Sequence, residues 1–243
     1  MRIAVLSDIH SNLVALEAVL AAVGSVDAVW VLGDSVGYGP EPDGVVERLV
    51  DVGAVAVAGN HDAAAVGTAD LGWFNPDARA AIEWTQRRIS AATRAWLAEL
   101  PTVVTEPPAT LVHGSLREPL WEYITSGAEA GPNLRLLAER RLGLGFHGHT
   151  HIPVLWRRTG EELELHRVAD GTVIALDERL VLANPGSVGQ PRDGDPRASY
   201  LVYDTDRAEL AWHRVAYDVG ATQALMRRAG LPQWLVERLA LGH

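Results

Sequence analysis

The chain has no cysteine and no lysine; all 21 basic side chains among its 243 residues are arginine. Without an ε-amine there is no P-loop lysine, no kinase-type nucleotide lysine and no Schiff-base chemistry. Without a thiol there is no disulfide framework, thiol nucleophile, iron–sulfur cluster or thiolate zinc site. Any chemistry falls to carboxylate, imidazole, amide, hydroxyl and guanidinium groups. Hard and borderline metals stay open to such groups.

Basic charge is scarce overall. The 31 acidic residues give a formal net charge of −10. An acidic envelope disfavours extended nucleic acid and anionic membranes, which call for basic patches. A small phosphate substrate stays open if something locally positive waits in the site. Long apolar runs are missing too: Ile3–Leu6 stops at Ser7-Asp8, too short for a signal peptide, and no stretch reaches membrane-span length. The expectation is a cytoplasmic protein that makes no membrane contact. With 48% hydrophobic residues, 243 residues fill one core, read as a single domain over 1–243. Its oligomeric state is not legible.

What is present is ordered. Ile3–Leu6, Ala28–Leu32 and Ala54–Ala58 are short apolar runs of the kind buried parallel strands show. Between them, Leu13, Leu16, Leu20 and Val23 recur at helical spacing, and a second helical stretch runs near Gly44–Asp51. Asp62–Glu99 reads as mostly helical, with Trp84, Ile89, Trp96 and Leu97 turned inward. After Pro101 short strands take over, interrupted by a helix near Leu134–Arg141, and two short helices close the chain. Two strand-rich halves with helices outside predict two packed mixed sheets in a four-layer α/β/β/α sandwich.

Five apolar runs end alike. They lead into Asp8-Ile9-His10, Gly33-Asp34, Gly59-Asn60-His61-Asp62, His113-Gly114 and His147-Gly148-His149-Thr150-His151. If the runs are strands, every cluster lies at a carboxyl end, where open α/β sheets place ligands. Singly, each residue has an ordinary explanation as a helix cap, a turn residue or a buried histidine. Together, oxygen and imidazole donors without thiolate form the set expected of manganese, iron, zinc or nickel. Seven donors suit two ions better than one.

These blocks, the last counted from Gly148 to His151, span residues 8 to 151 and resemble in order and spacing the five motif blocks of the calcineurin-like metallophosphoesterases. Gly33–Pro40 and Asn184–Arg192 further resemble small bacterial members of phosphodiesterase type. The resemblance implies that Asp8, His10 and His151 hold a first metal, that Asp34 bridges, and that Asn60, His113 and His149 complete a second site. Two divalent ions, manganese favoured, would sit roughly 3.5–4 Å apart and share an attacking hydroxide. Asn60 would also touch a phosphate oxygen. His61 is the implied general acid, with Asp62 orienting its ring. The implied reaction is hydrolysis of a small phosphodiester, nucleotide-like substrates included. Phosphomonoesterase or protein phosphatase activity, dinucleoside-polyphosphate hydrolysis and a non-catalytic scaffold are the alternatives. Retention of His61 and all seven donors speaks against the scaffold.

Other residues sit outside the blocks. His147 reads as a strand residue beside the site, and His166 and His213 as sheet decoration. Arg117 either touches substrate phosphate or is a solvated loop residue; Arg192 is a lesser candidate for the same contact. Tyr38 is expected to pack under the Gly37–Pro40 turn. Trp73, Phe74, Trp121 and Tyr123 lie between blocks and could stack on a nucleobase or aryl leaving group. Packing of helices against the core is the favoured role for them, because aromatic side chains contribute most through burial.

Overall fold

In the computed structural model, which describes residues 1–243, the first apolar runs become a parallel βαβαβ unit. It comprises β1 (Arg2–Leu6), α1 (Leu13–Val23), β2 (Ala28–Val31), α2 (Pro42–Asp51) and β3 (Val55–Ala56). Asn12 caps α1 by accepting from the Ala15 amide, and Pro42 opens α2, where a missing N–H costs nothing. Next come α3 (Asn60–Ala65), a 3-10 turn (Leu71–Trp73), α4 (Pro76–Arg88) and α5 (Ala91–Glu99). Ile89 and Leu97 are buried there as expected, whereas Trp84 and Trp96 are only half-buried.

The second half supplies β4 (Val103–Glu106), β5 (Ala109–Val112), α6 (Gly127–Glu139), β6 (Leu144–Phe146), β7 (Val154–Thr159) and β8 (Glu162–Arg167). It ends with β9 (Val173–Ala175), β10 (Leu180–Asn184), β11 (Ala198–Asp204), β12 (Glu209–Val215), α7 (Val219–Ala229) and α8 (Gln233–Arg238). Helix α6 starts well ahead of the expected Leu134. Gly131-Pro132 looks like a breaker, but Ser126 and Glu129 form a reciprocal capping box that holds the start, and Pro132 lies within the helix.

The strands form two mixed six-stranded sheets, ordered β3-β2-β1-β11-β12-β9 and β4-β5-β6-β10-β7-β8. Alternation along β1 shows how the layers are made. Ile3 and Val5 face the other sheet, joining Trp30, Phe146, Leu155, Tyr203 and Trp212 in the layer between the sheets. Ala4 and Leu6 point the opposite way, onto Leu16 and Val19 of α1. Helix α6 covers the outer face of the second sheet through Leu134 and Leu137, which pack with Val112, Trp156 and Leu182. The result is the α/β/β/α sandwich expected. No helix is long and apolar enough to cross a membrane.

Candidate metal centre

The loops leaving β1, β2, β5 and β6 are zipped together by backbone hydrogen bonds. The Asp8 amide donates to Gly33 (3.1 Å), that of His10 to Asp34 (2.9 Å) and that of Gly148 to His113 (2.8 Å). This turns each chain sharply off its strand. Asp8, His10, Asp34, His149 and His151 all take left-handed backbone conformations, with φ from 50° to 65°. Such conformations cost of the order of 1–3 kcal/mol each and collect at functional sites; Asp and His accept them better than branched residues do.

The turns bring donor atoms into two adjoining clusters. In the first, Asp8 Oδ1 lies 3.3 Å from His151 Nε2, and the Nε2 atoms of His10 and His151 face each other at 3.2 Å. In the second, His113 Nε2 lies 3.1 Å from Asn60 Oδ1 and 3.0 Å from His149 Nδ1. Asp34 Oδ2 stands between the clusters, 3.6 Å from His10 Nε2 and 3.4 Å from His113 Nε2. Its other oxygen accepts from the His61 amide at 2.9 Å.

The far sides of three rings decide what the near sides can be. Nδ1 of His10, His113 and His151 meets the carbonyl oxygens of Val36 (3.2 Å), Leu32 (2.8 Å) and Gln190 (2.6 Å). A carbonyl only accepts, so Nδ1 carries the proton, and a neutral ring then presents a bare lone pair at Nε2. Lone pairs of His10 and His151 therefore point at each other and at carboxylate oxygens. A divalent cation satisfies that arrangement. Asp8 Oδ1 is buried with no hydrogen-bond partner, although Oδ2 accepts from Ser7 Oγ and the His149 amide. These residues fit divalent metal.

The electrostatics of the protein alone point the same way. Burial pushes the Asp8 carboxyl up to about 7 and holds Asp34 well above the usual carboxylate range. Burial likewise drives His10, His149 and His151 well below the ordinary imidazole value, which keeps them neutral ligands.

His61 opens α3 beside these clusters, with a ring nitrogen near His10 and Asp34 donors. Its ring lies 4.3 Å from Tyr38 and 5.0 Å from Phe74, and a Cβ on Gly37 would strike its Nδ1. Asp62 does not orient that ring. Its two oxygens accept from the Val36 and Gly59 amides, each at 3.0 Å, and His61 Nδ1 has no hydrogen-bond partner. Third in its helix, Asp62 turns back to the helix start and clamps the Asp34–Val36 loop onto it.

The sequence profile of the calcineurin-like phosphoesterase superfamily domain matches residues 1–208. The chain belongs to that superfamily. It is thus a metallophosphoesterase, a hydrolase of phosphoric esters. A crystal structure of a metallophosphoesterase from Sphaerobacter thermophilus superposes with a TM-score of 0.91, at 44% identity over 100% of this chain and 99% of that one. An uncharacterized protein of Methanocaldococcus jannaschii is 37% identical over 99% of this chain and 98% of its own length. The phosphodiesterase YfcE of Escherichia coli is 29% identical over 85% and 89% respectively.

A cavity of about 320 Å³ opens over the donors of this metallophosphoesterase, lined by Asp34, Asn60, His61, His149 and His151 among others. Sequence weighting of the two arginines is reversed there. Arg117 is engaged with the Glu122 carboxylate. Arg192 lines the cavity instead, carried on the loop whose Gln190 carbonyl holds His151. Tyr38 is not mere turn packing, since it too lines the cavity, under the Arg192 guanidinium at 5.8 Å. Trp73, Phe74, Trp121 and Tyr123 also line it; Phe74 packs on the core as expected, whereas the exposed Trp73 and Tyr123 depart from that role. Their place depends on two loops meeting in space, and only the excess of tryptophan hinted at it. His147 is buried beside Asn184 at 3.4 Å, away from both clusters. His166 pairs with Glu164, and His213 stacks on Tyr200.

Proposed function

We propose that residues 1–243 act as one cytoplasmic domain that hydrolyses phosphodiester bonds of a small ester with two divalent ions, manganese favoured. The observation that carries this is Asp34 Oδ2, set between His10 Nε2 of one cluster and His113 Nε2 of the other. Asp8, His10 and His151 would hold one ion, Asn60, His113 and His149 the other, and Asp34 would serve both. Bound at these donors, divalent cations would supply positive charge for a phosphate and would lower the pKa of an attacking water.

The chain's own groups do the rest. Asn60 directs its amide NH₂ toward a phosphate oxygen. His61 protonates the leaving oxygen, which an alkoxide requires more than an easily expelled phosphate does. Burial and the nearby Arg192 keep His61 neutral in the protein alone. A phosphate anion bound beside it restores the proton it delivers. The relationship to a phosphodiesterase of Escherichia coli supports diester chemistry. The cavity lies at the small end of the roughly 300–1,000 Å³ typical of small-molecule sites, which favours a compact ester.

The test is turnover of diesters, monoesters and dinucleoside polyphosphates, each with manganese, nickel, zinc and magnesium, alongside metal analysis. We expect about two equivalents of metal and fastest turnover of diesters. Preference for another panel member replaces the diester reading. No turnover with any metal revives the scaffold.

A further inference from the structure

The cavity wall beyond the donors is aromatic, and burial does not account for its outer rings. Trp73 is 74% exposed and Tyr123 47%. Trp73 comes from the 3-10 turn between α3 and α4, and Trp121 from the loop after β5. Their ring centroids meet at 5.7 Å, and Phe74 links Trp121 (5.2 Å) to the His61 ring (5.0 Å). Tyr123 lies flat on His149, 3.8 Å between centroids and 19° between planes. Aromatic faces therefore run from the metal donors to the rim. Arg192 adds a cation: it donates to Gln190 Oε1 at 2.9 Å, while its buried Nε has no hydrogen-bond partner and no carboxylate pairs with it.

We propose that this aromatic rim is a nucleobase subsite, so that the substrate is a nucleotide phosphodiester. The inference rests on the diesterase reading and adds its substrate class. The base stacks on Trp73 and Trp121 while the phosphate reaches the donors and Arg192. Three features favour that occupant. An indole left three-quarters exposed at the mouth of a polar site is an unused stacking platform, and any base has a π-face to offer it. Arg192 faces the same space without a counter-ion, which selects a ligand carrying both a flat apolar face and an anion. The volume of about 320 Å³ suits one such unit, and the surrounding charge of −10 disfavours a longer polyanion.

The experiment compares two diesters that differ only in the base: the methyl ester of adenosine 5′-phosphate and the methyl ester of ribose 5-phosphate. Wild-type kcat/KM should favour the adenosine ester by roughly tenfold to a hundredfold, through KM, the range expected of one stacked base. Trp73→Ala should cut that ratio by tenfold or more, and Trp73→Phe should retain most of it. Trp73 is too exposed for its loss to disturb the core. In a second arm, adenosine 5′-phosphate added to manganese-loaded protein should quench tryptophan fluorescence saturably, whereas ribose 5-phosphate should not. Equal turnover of both esters by wild type, with no selective quenching, overturns the subsite and leaves the diesterase reading intact. Turnover of neither ester removes the diesterase reading, and the fluorescence arm then decides the subsite alone. If Trp73→Ala leaves the ratio unchanged but dissociates a dimer, the rim is a contact between copies and the proposal fails.

Discussion

A methyl group on Gly59 would lie 2.0 Å from Asp34 Oδ1 and 2.4 Å from the Asp34 backbone nitrogen. Only hydrogen fits there, because one of the opposing atoms is main chain and cannot swing aside. The N-cap of α3 is thus pressed against the carboxylate whose other oxygen stands between the two donor clusters. Gly59→Ala should displace Asp34 and weaken metal binding by roughly 10–100-fold, the usual cost of disturbing a ligand's supports. Calorimetric titration with manganese checks this. Wild-type affinity in a folded variant would show that the contact has no bearing on the centre.

His61→Ala should retain its metal and lose roughly 10²–10⁴ in kcat on an alkyl diester. The loss should be much smaller on a p-nitrophenyl ester, whose leaving group departs without a proton. Kinetics on the two esters, with metal analysis of the variant, separate proton donation from ligation. Equal losses on both would count against His61 as the acid, and lost metal would make it a ligand.

Much of this was legible in the sequence, for a local reason. Apolar runs ending in Asp, His and Gly mark strand ends, and sheets collect their strand ends on one side. The seven side chains consequently lie close together. The early start of α6 is a local departure, set by its capping box, but the departures at the site are mostly long-range. Along the chain Arg117 is the stronger candidate of the two; only the fold shows Glu122 neutralising it while Arg192 donates to the neutral Gln190 amide. The aromatic rim requires the loop before α4 to touch the loop after β5, and no periodicity encodes that meeting. Left-handed backbone at Asp8, His10 and Asp34 is likewise imposed by hydrogen bonds between loops.

Asp62 offers a test of a corrected role. It accepts from the Val36 and Gly59 amides rather than from His61, so Asp62→Asn should loosen that clamp. An amide has only one accepting oxygen, and one of the two buried donors is left unsatisfied at a cost of about 1–3 kcal/mol. Thermal unfolding should show a lower Tm. The pH dependence of kcat should keep the limb that belongs to His61. A displaced limb at unchanged Tm would restore Asp62 as the residue that orients the ring.

Stability of the metal-free protein should depend on pH through Asp8. Burial raises its carboxyl from an unfolded value of 3.8 to about 7, so the folded state favours the proton. That contribution is full below the unfolded value and is lost as pH rises through about 7, leaving a buried uncompensated charge. A cation displaces the proton and pairs the carboxylate. His10 and His151 are neutral with or without metal, so their own pH dependence cancels from the difference. From pH 6 to pH 8 metal binding therefore gains about tenfold from Asp8, about 1.4 kcal/mol. The rise in Tm on adding manganese to EDTA-treated protein should be about 3–6 °C larger at pH 8 than at pH 6, given the usual 2–4 °C per kcal/mol at this chain length. Asp34, raised in the same direction, adds to that difference. A rise equal at both pH values, or larger at pH 6, would mean that Asp8 does not share its proton site with the metal.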